Sequence, residues 1–295
     1  MKPKVTIGVC VRNCSNTIKQ TIESIIQQNF PHELMEIIFV DDGSDDDTLK
    51  IIKEYASKID ITTKIFHDDW MGIGHARNKV IKNANGDYII WVDGDMVISK
   101  DFVKKQVYFM EHNLNVGIAK GQYQFSCGSN LVSTLEIYSR IIGYAKSLNG
   151  NKPRHLGTGA CIYRLKAIAQ AGGFDDNIKG YGEDWDAELR VRAAGWSFGK
   201  TTAQWRDYER LGTTYNRLWQ RYVKRGFDVY YVCQKNKGLL KFHRMLPPAA
   251  FLAGLLDAIS AYKCVRKKVV FLLPFHYAFR AAAWCLGFIK AKYNI

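Results

Sequence analysis

The first 92 residues alternate between apolar strand-like segments and segments with apolar residues at helical spacing, and this alternation restricts the fold more than any other feature. The predicted strands are VTIGVCVRN (5–13), MEIIFVDDGS (35–44), ITTKIFHD (61–68) and DYIIWV (87–92). The predicted helices are TIKQTIESIIQQ (17–28), DDTLKIIKEYASKI (46–59) and GIGHARNKVIKNANG (72–86), the last closed by an Asn85-Gly86 C-cap. This order predicts an α/β fold with a mostly parallel, doubly wound sheet.

Polar residues follow three of these strands. Arg12-Asn13 follow the first strand, Asp41-Asp42 end the second, and Asp93-Gly94-Asp95 follow the fourth. Ligands of such sheets bind outside the carboxyl ends of the strands, so we expect these residues at one edge. The first strand is not followed by GxGxxG, and the chain contains no GxxxxGK[ST] loop. Both facts argue against dinucleotide binding and a P-loop nucleotidase.

The stretch IIWVDGDMVI (89–98) places two aspartates one residue apart after an apolar run. Two such carboxylates repel each other unless a cation or water lies between them. Mg²⁺ and Mn²⁺ take oxygen ligands of this kind, often together with a diphosphate, and Gly94 permits a close backbone approach. Asp-Gly is also a common exposed turn. Its place after a buried strand, among other acidic strand ends, favours the metal site.

Composition and charge narrow the class of protein. The chain is 47% hydrophobic, which excludes a disordered protein. All of its +14 net charge lies in residues 200–295, which suits an ordinary basic surface, an anionic membrane or nucleic acid. The seven cysteines form no CxxC pair, and the start MKPKVTIGVCV runs directly into a strand-like pattern. We therefore expect reduced thiols, no zinc site, no signal peptide and a cytosolic compartment.

The chain resembles the family 2 glycosyltransferases, which have the GT-A fold, over about residues 4–230. The matching motifs occur in the family's order. They are VTIGVCVRN (5–13), EIIFVDDGSDDDT (36–48), ARNKVI (76–81), DYIIWVDGDM (87–96), GTGACIYRLKAIAQAGGFDD (157–176), GEDWDAELRVRAAGW (182–196) and RLWQRYVKRG (217–226).

The resemblance implies a nucleotide-sugar site with a divalent metal, Mg²⁺ or Mn²⁺. It assigns nucleotide-sugar binding to Val11, Arg12, Asn13, Asp41, Asp42, Arg77, Asp93 and Gly94, and metal binding to Asp93 and Asp95. It also implies that Asp184 is the catalytic base and that Glu183 contacts the acceptor. Each assignment has a plainer alternative. Asp41 and Asp42 would also suit helix N-capping, Arg77 a surface charge, and Glu183 and Asp184 a helix N-terminus.

The acceptor side is less defined. Gly159 and His155 lie in NGNKPRHLGTG (149–159), which we expect to be a mobile loop over the acceptor. Trp185 would stack on a sugar, although a core tryptophan is equally compatible with the sequence. Where family members often carry a metal- or phosphate-binding His, this chain has Tyr208. Its neighbour Asp207 is the proposed replacement as a metal ligand.

The C-terminal region is apolar and basic. Residues 246–262 and 269–289 are the most apolar segments, but Pro247, Asp257, His276 and Arg280 argue against plain membrane spans. We expect a catalytic domain at 1–240 and a membrane-associating helical region at 241–295, lying in the interface at the cytoplasmic face. An Asp257–Arg280 pair would neutralise both charges. The alternative is a helical cap packed on the catalytic domain.

Three functions remain open at this point. The first is an inverting glycosyltransferase that moves one sugar to a hydroxyl of a lipid-linked or other glycan. Gln220-Arg221-Tyr222 only partly matches the Gln-x-x-Arg-Trp motif of polymerising synthases, which favours single transfer. The second is a polyprenyl-phosphate sugar synthase, whose phosphate acceptor needs no base, so that the GEDWD motif argues against it. The third, a basic nucleic-acid-binding protein, leaves the strand-end carboxylates unexplained.

Overall fold

A computed structural model describes residues 2–125, 128–148, 155–207, 213–236 and 242–295. The chain forms two compact units. The first contains residues 1–124, 153–179 and 183–209, and the second contains 125–152, 180–182 and 210–295.

The first unit is built on an eight-stranded mixed sheet in the order β3-β2-β1-β4-β7-β6-β8-β5. Its strands are β1 Val5–Val11, β2 Met35–Asp42, β3 Thr62–Asp68, β4 Tyr88–Trp91, β5 Met96–Ile98, β6 Val116–Tyr123, β7 Cys161–Arg164 and β8 Ser197–Asp207. Its helices are α1 Ile18–Ile26, α2 Thr48–Ala56, α3 Ile73–Asn83, α4 Phe102–His112, α6 Leu165–Gln170 and α7 Glu183–Ala193. The predicted α/β class is confirmed.

The sheet is parallel where the sequence alternates and mixed beyond that. Strands β3, β2, β1 and β4 are paired in parallel, as predicted. Strand β7 is antiparallel to both of its neighbours, and β5 is antiparallel to β8. The alternation ends after β4, so that the sequence pattern did not reveal these antiparallel strands.

The central strands are buried on both faces, which explains why they read as continuous apolar runs. In β2, Ile37 and Phe39 pack into the core on one side of the sheet. Ile38 and Val40 pack into the core on the other side. This two-sided burial fixes the strand register, and with it the position of the residues that follow each strand.

One local prediction needs correction. Helix α3 ends at Asn83, and the Asn85-Gly86 pair is not its C-cap, because Asn85 donates to the buried Glu36 and the Gly86 N–H donates to Thr6. The run 89–98 is divided between two strands. It turns at residues 93–95, and the following β5 pairs with the far strand β8.

The second unit is helical. It contains α5 Leu131–Leu148, α8 Tyr215–Lys235, α9 Pro247–Val265 and α10 Leu273–Tyr293. Helices α8 and α10 approach closely at two glycines. A Cβ on Gly226 would lie 1.9 Å from Trp284 O, and one on Gly287 would lie 1.8 Å from Val223 O. The expected division at residue 240 separates α8 from α10, whereas the structure packs these two helices in one unit.

The polar residues of the apolar segments are paired, but not with each other. Asp257 accepts from Lys146 Nζ and from the Tyr277 hydroxyl. Arg280 and His276 both contact Glu136 on α5, at 2.9 Å and 2.8 Å. The expected Asp257–Arg280 pair is therefore wrong, because two residues of α5 pair with these charges: Lys146 with Asp257 and Glu136 with Arg280. His276 and Arg280 are four residues apart on α10 and share the face of this helix that contacts Glu136.

Candidate active site

The residues that follow the parallel strands lie at one edge of the first unit. Val11 at the end of β1 is in register with Asp41 at the end of β2. Gly8 of β1 is in register with Trp91, the last residue of β4, so the 93–95 turn leaves the sheet beside the end of β1. The sequence predicted this convergence, and parallel pairing is its cause.

Asp41 offers an open acceptor. Its side chain is fully buried, and Oδ1 accepts the Ser44 N–H at 2.9 Å. Oδ2 has no hydrogen-bond partner in the described part of the chain, and the nearest imidazole nitrogen, His67 Nδ1, lies 3.9 Å away. A buried carboxylate oxygen without a partner is costly. A ligand N–H or O–H donor would satisfy it.

Asp42, by contrast, is occupied by the protein itself. Its carboxylate accepts the Met71 N–H at 2.8 Å and the Gly72 N–H at 3.0 Å. These bonds hold the loop after β3, in which Trp70 is 49% exposed between Arg12 and Lys179, at 5.4 and 5.7 Å from its ring centroid. Asp42 therefore shapes the site rather than presenting a free carboxylate. Trp70 and Lys179 are edge residues that the sequence analysis missed.

The end of β1 contributes mainly backbone and one cation. Val11 is buried and packs where a Cβ on Gly94 would lie, 2.8 Å from Val11 Cγ1. Arg12 is exposed, and its Nε donates to Gly43 O at 3.2 Å. Asn13 has a left-handed backbone with a φ of 53°, and its Oδ1 accepts the Asp45 N–H at 3.0 Å. Of the three, only Arg12 presents an exposed charged side chain to the edge.

The Asp93-Gly94-Asp95 turn is packed tightly against α1. The hydroxyl of Thr17 donates to Gly94 O at 2.8 Å, so the close approach expected of Gly94 is present. Asp93 is 46% exposed on its side chain. A Cβ on Gly159 would lie 2.4 Å from Asp93 Oδ2, so only glycine leaves this carboxylate in place. Gly159 therefore contacts Asp93, in addition to any role toward an acceptor.

A divalent cation would find carboxylate oxygens at this edge. In the β5–β8 ladder, Met96 is opposite Asp207, which brings the end of β8 next to Asp95. Within the described ranges, however, no three His, Cys, Asp or Glu side chains converge on one point suited to a metal. Asp93, Asp95 and Asp207 are therefore not assembled as one ligand set. Their oxygen chemistry fits Mg²⁺ or Mn²⁺ if diphosphate and water supply the remaining ligands.

A buried ion pair connects this edge to α7. Arg77 on α3 donates to Glu183 Oε1, and its Nη2 lies 4.0 Å from Asp93 Oδ1. Burial opposes the charge on Arg77, but the carboxylates of Glu183 and Asp93 raise the pKa of the guanidinium. Burial and the neighbouring Asp184 raise the pKa of Glu183 to about 7, against the influence of Arg77. The Glu183 carboxylate, which the resemblance assigns to the acceptor, is paired with Arg77.

Asp184 is the partly exposed carboxylate of this helix start, with 22% of its side chain accessible. Its Oδ1 accepts the Trp185 N–H at 2.7 Å, and its Oδ2 lies 3.9 Å from His155 Nε2. Trp185 is half-buried, and its ring centroid lies 5.8 Å from that of His155. Trp185 is therefore not a core residue. Asp184, Trp185 and His155 form one group on the acceptor side of the predicted site.

Glu188, which the sequence analysis missed, organises the segment before β7. Its buried carboxylate accepts the N–H groups of Leu156 and Gly157 at 3.0 and 2.7 Å. It also contacts His155 Nδ1 at 2.9 Å. Four residues separate it from Asp184, so the two share a helical face, and that spacing was the available signal. Residues 149–154 of the expected mobile loop, and Tyr208, lie outside the described residues.

Comparison with known proteins agrees with the geometry. The model of glycosyl transferase family 2 matches residues 6–173, more than half of the chain. The chain belongs to glycosyl transferase family 2. It is 31% identical over 118 residues to the poly(ribitol-phosphate) beta-N-acetylglucosaminyltransferase TarS of Staphylococcus aureus, covering 40% of this chain and 21% of TarS. It is 34% identical over 110 residues to the putative glycosyltransferase EpsE of Bacillus subtilis, covering 37% of this chain and 39% of EpsE. The chain thus covers less than half of either relative.

Solved structures support the fold. A mannosyltransferase of Pyrobaculum calidifontis, in complex with GDP-Man and Mn²⁺, matches with a TM-score of 0.72 at 15% identity, over 100% of this chain and 88% of that one. TarS residues 1–349 match with a TM-score of 0.53 at 18% identity, over 99% and 92% of the two chains. At these identities the likeness concerns the fold alone. The GT-A fold expected from the sequence is confirmed.

Proposed function

We propose that this protein is an inverting glycosyltransferase that moves one sugar from a nucleotide-sugar to an acceptor hydroxyl, with Asp184 as the base. The observation that carries the proposal is the link between two carboxylate groups in the first unit. The Arg77–Glu183 pair ties the start of α7 to Asp93, so that the partly exposed Asp184 carboxylate is held on the same side as the strand-end carboxylates. The strand-end carboxylates suit a leaving diphosphate through a bound cation, and Asp184 suits an attacking hydroxyl.

The donor end of the site has matching chemistry. Asp41 Oδ2 is a buried acceptor that a nucleobase or ribose donor would satisfy. The exposed Arg12 and Lys179, both near the Trp70 ring, add positive charge where phosphates enter. We therefore place the nucleotide over the ends of β1 and β2 and the diphosphate toward Asp93.

The reaction would proceed as one displacement. Asp184 takes the proton from the acceptor hydroxyl as its oxygen bonds to the anomeric carbon. The bond from that carbon to the diphosphate breaks on the opposite face, and the nucleoside diphosphate leaves with the bonding electrons. Attack from the face opposite the leaving group inverts the anomeric centre. Asp93, together with Asp95 or Asp207, would hold a divalent ion, which would supply positive charge to the leaving diphosphate.

Asp184→Asn tests the base. General-base catalysis contributes ~10²–10⁴-fold, so transfer should fall by about that factor while donor binding is retained. Donor binding is measured by thermal stabilisation with a panel of nucleotide-sugars and Mn²⁺. Asp60→Asn is the matched control, because Asp60 is exposed, precedes the start of β3 at the end opposite the site, and contacts His32 there at 2.7 Å. A loss of less than tenfold in Asp184→Asn would exclude the assigned role. Full activity in EDTA would exclude the metal.

We extend the proposal to a lipid-linked or other glycan acceptor at the cytoplasmic face of a membrane. In the described part of the chain, one helical segment, Lys268–Tyr293, is long and apolar enough to cross a bilayer, and 39% of its apolar window is buried. Helix α9 exposes an apolar row of four leucine and isoleucine side chains, Leu252, Leu255, Leu256 and Ile259. Exposed basic residues follow that row at Lys263, Arg266, Lys267 and Lys268.

This combination suits a helix pair that lies in the interface of an anionic membrane. The exposed row has the i, i+3, i+4, i+7 spacing of one helical face, and each nearby basic residue adds about 1 kcal/mol of attraction to an anionic surface. Asp257 is neutralised by Lys146, so its charge does not oppose insertion.

Flotation with anionic liposomes tests the membrane proposal. Full-length protein should float at low salt, and Leu252→Glu with Leu256→Glu should prevent flotation. Leu114→Glu is the control, because Leu114 is 71% exposed in the first unit. The full chain is used, because ending it near residue 240 would uncover the face of α8 that packs on α10. Unchanged flotation of the double variant would make these helices a packed cap instead.

A further inference from the structure

The carboxylate of Asp184 and two basic side chains, His155 and Lys120, surround one small space next to Gly157. Gly157 has a φ of 70° and no side chain, and a Cβ on it would lie 3.4 Å from Asp184 Oδ2. The same point is 4.0 Å from His155 Nε2 and 4.0 Å from Lys120 Nζ. We call this space the Gly157 cradle. It is lined by one carboxylate and two basic groups, all within the first unit.

Both basic groups are held in place by the protein. Glu188 contacts Nδ1 of His155, which leaves Nε2 directed toward Asp184. Burial works against a charged imidazole, but Glu188 and Asp184 together outweigh it and raise the pKa of His155. Lys120 donates to Gly159 O and lies 5.1 Å from the Trp205 ring centroid. Its ammonium has further donors beyond that single bond.

Two basic side chains beside a general base need an explanation, because proton abstraction by Asp184 requires neither of them. Glu188 holds His155 beside Asp184, whereas Lys120 bonds Gly159 O, next to the contact between Gly159 and Asp93. An anion in the cradle would accept from His155 Nε2 and from the remaining Lys120 donors, and would leave Asp184 to act on a neighbouring hydroxyl.

We propose that the acceptor carries a phosphate or carboxylate close to the hydroxyl that attacks, and that His155 and Lys120 bind this anionic group. The assignment rests on the proposed function, because it takes Asp184 as the base. It identifies the acceptor class as a polyol phosphate or an acidic sugar rather than a neutral glycan. His155 and Lys120 then determine acceptor specificity, and Glu188 positions His155.

A binding comparison tests the proposal without turnover. The full-length protein is titrated with sn-glycerol 3-phosphate and with glycerol in the presence of Mg²⁺, and the His155 ring protons are followed by NMR. A hydrogen bond between charged groups suggests ~10- to 100-fold tighter binding of the phosphate. His155→Gln and Lys120→Gln should each lose most of that preference. Lys104→Gln, an exposed lysine on α4, should keep it. Equal binding of the two probes, or an unchanged preference in both cradle variants, would overturn the proposal.

A second comparison separates an anionic acceptor from an anionic donor sugar. Donor hydrolysis is measured with UDP-glucose and UDP-glucuronate in wild type and His155→Gln. The proposal predicts the same relative rates in both proteins. A selective loss with UDP-glucuronate would assign the anion to the donor and overturn the acceptor assignment. Failure of the wild type to hydrolyse any nucleotide-sugar would count against the proposed function, whereas the glycerol 3-phosphate comparison is independent of turnover.

Discussion

Replacing Glu188 with Gln should separate the stability of the 155–157 segment from the chemistry of Asp184. The Glu188 carboxylate receives three contacts, from the N–H groups of Leu156 and Gly157 and from His155. Hydrogen bonds to charged groups contribute about 1.5–3 kcal/mol each. The Leu156 N–H reaches both carboxylate oxygens, so the one oxygen that a glutamine retains keeps two of the three partners and one contact is lost. We expect a loss of about 1.5–3 kcal/mol in the free energy of unfolding.

The protein should remain folded, because domains of this size are stable by about 5–15 kcal/mol. Urea denaturation followed by tryptophan fluorescence measures the loss, and release of nucleoside diphosphate measures turnover. Transfer to an acceptor should fall more than donor hydrolysis, because the segment presents His155 and Gly157 to the acceptor. Glu23→Gln is the matched control, since Glu23 accepts one bond, from the Tyr55 hydroxyl at 2.8 Å. A loss below about 1 kcal/mol with unchanged transfer would refute the role of Glu188.

Two further predictions concern Gly159 and Glu136. Gly159→Ala should reduce metal-dependent turnover at least tenfold, because its Cβ would lie 2.4 Å from Asp93 Oδ2, while Gly143→Ala, with nothing within 4 Å, should leave turnover unchanged in the same assay. Burial alone would raise the pKa of Glu136, but His276 and Arg280 lower it to about 2 from 4.5. This stabilisation is complete above pH 4.5 and is lost as the pH falls toward 2, an effect on the order of 3 kcal/mol. Urea denaturation between pH 4.5 and 2 should show that the free energy of unfolding falls more steeply with pH in wild type than in Glu136→Gln. Equal slopes would contradict the pairing of Glu136 with His276 and Arg280.

The strand ends were predictable because two local patterns determine them. Continuous apolar runs predicted β1, β2 and β4 as strands buried on both faces, and parallel pairing then brought Arg12, Asp41 and Asp93 to one edge. No long-range information was needed. The resemblance added Asp184, which no strand pattern locates.

Other features depended on contacts between distant residues. The sequence gives Asp41 and Asp42 the same chemistry, yet only Asp42 is occupied by the Met71 and Gly72 N–H groups. The structure alone shows this difference, because it arises where the loop after β3 returns to β2. Glu188 is four residues after Asp184 in the sequence, but its hydrogen-bond partners lie 31 to 33 residues earlier in the chain.

The C-terminal charges show the same limit. Asp257 and Arg280 are the opposite charges of two adjacent apolar segments, which is why the sequence predicted them as a pair. Their partners Lys146 and Glu136 lie on α5, more than one hundred residues earlier. Pairing of charges across such separations depends on helix packing, which hydropathy and spacing do not encode.

The stereochemistry of transfer tests the central claim most directly. A single displacement with Asp184 as the base predicts that an α-linked nucleotide-sugar gives a β-linked product. NMR of the product formed in the first turnovers distinguishes the two anomers by the one-bond carbon–proton coupling constant at the anomeric position, and Asp184→Asn should slow formation of that same anomer. Retention of the α configuration would require a second nucleophile and would contradict the account.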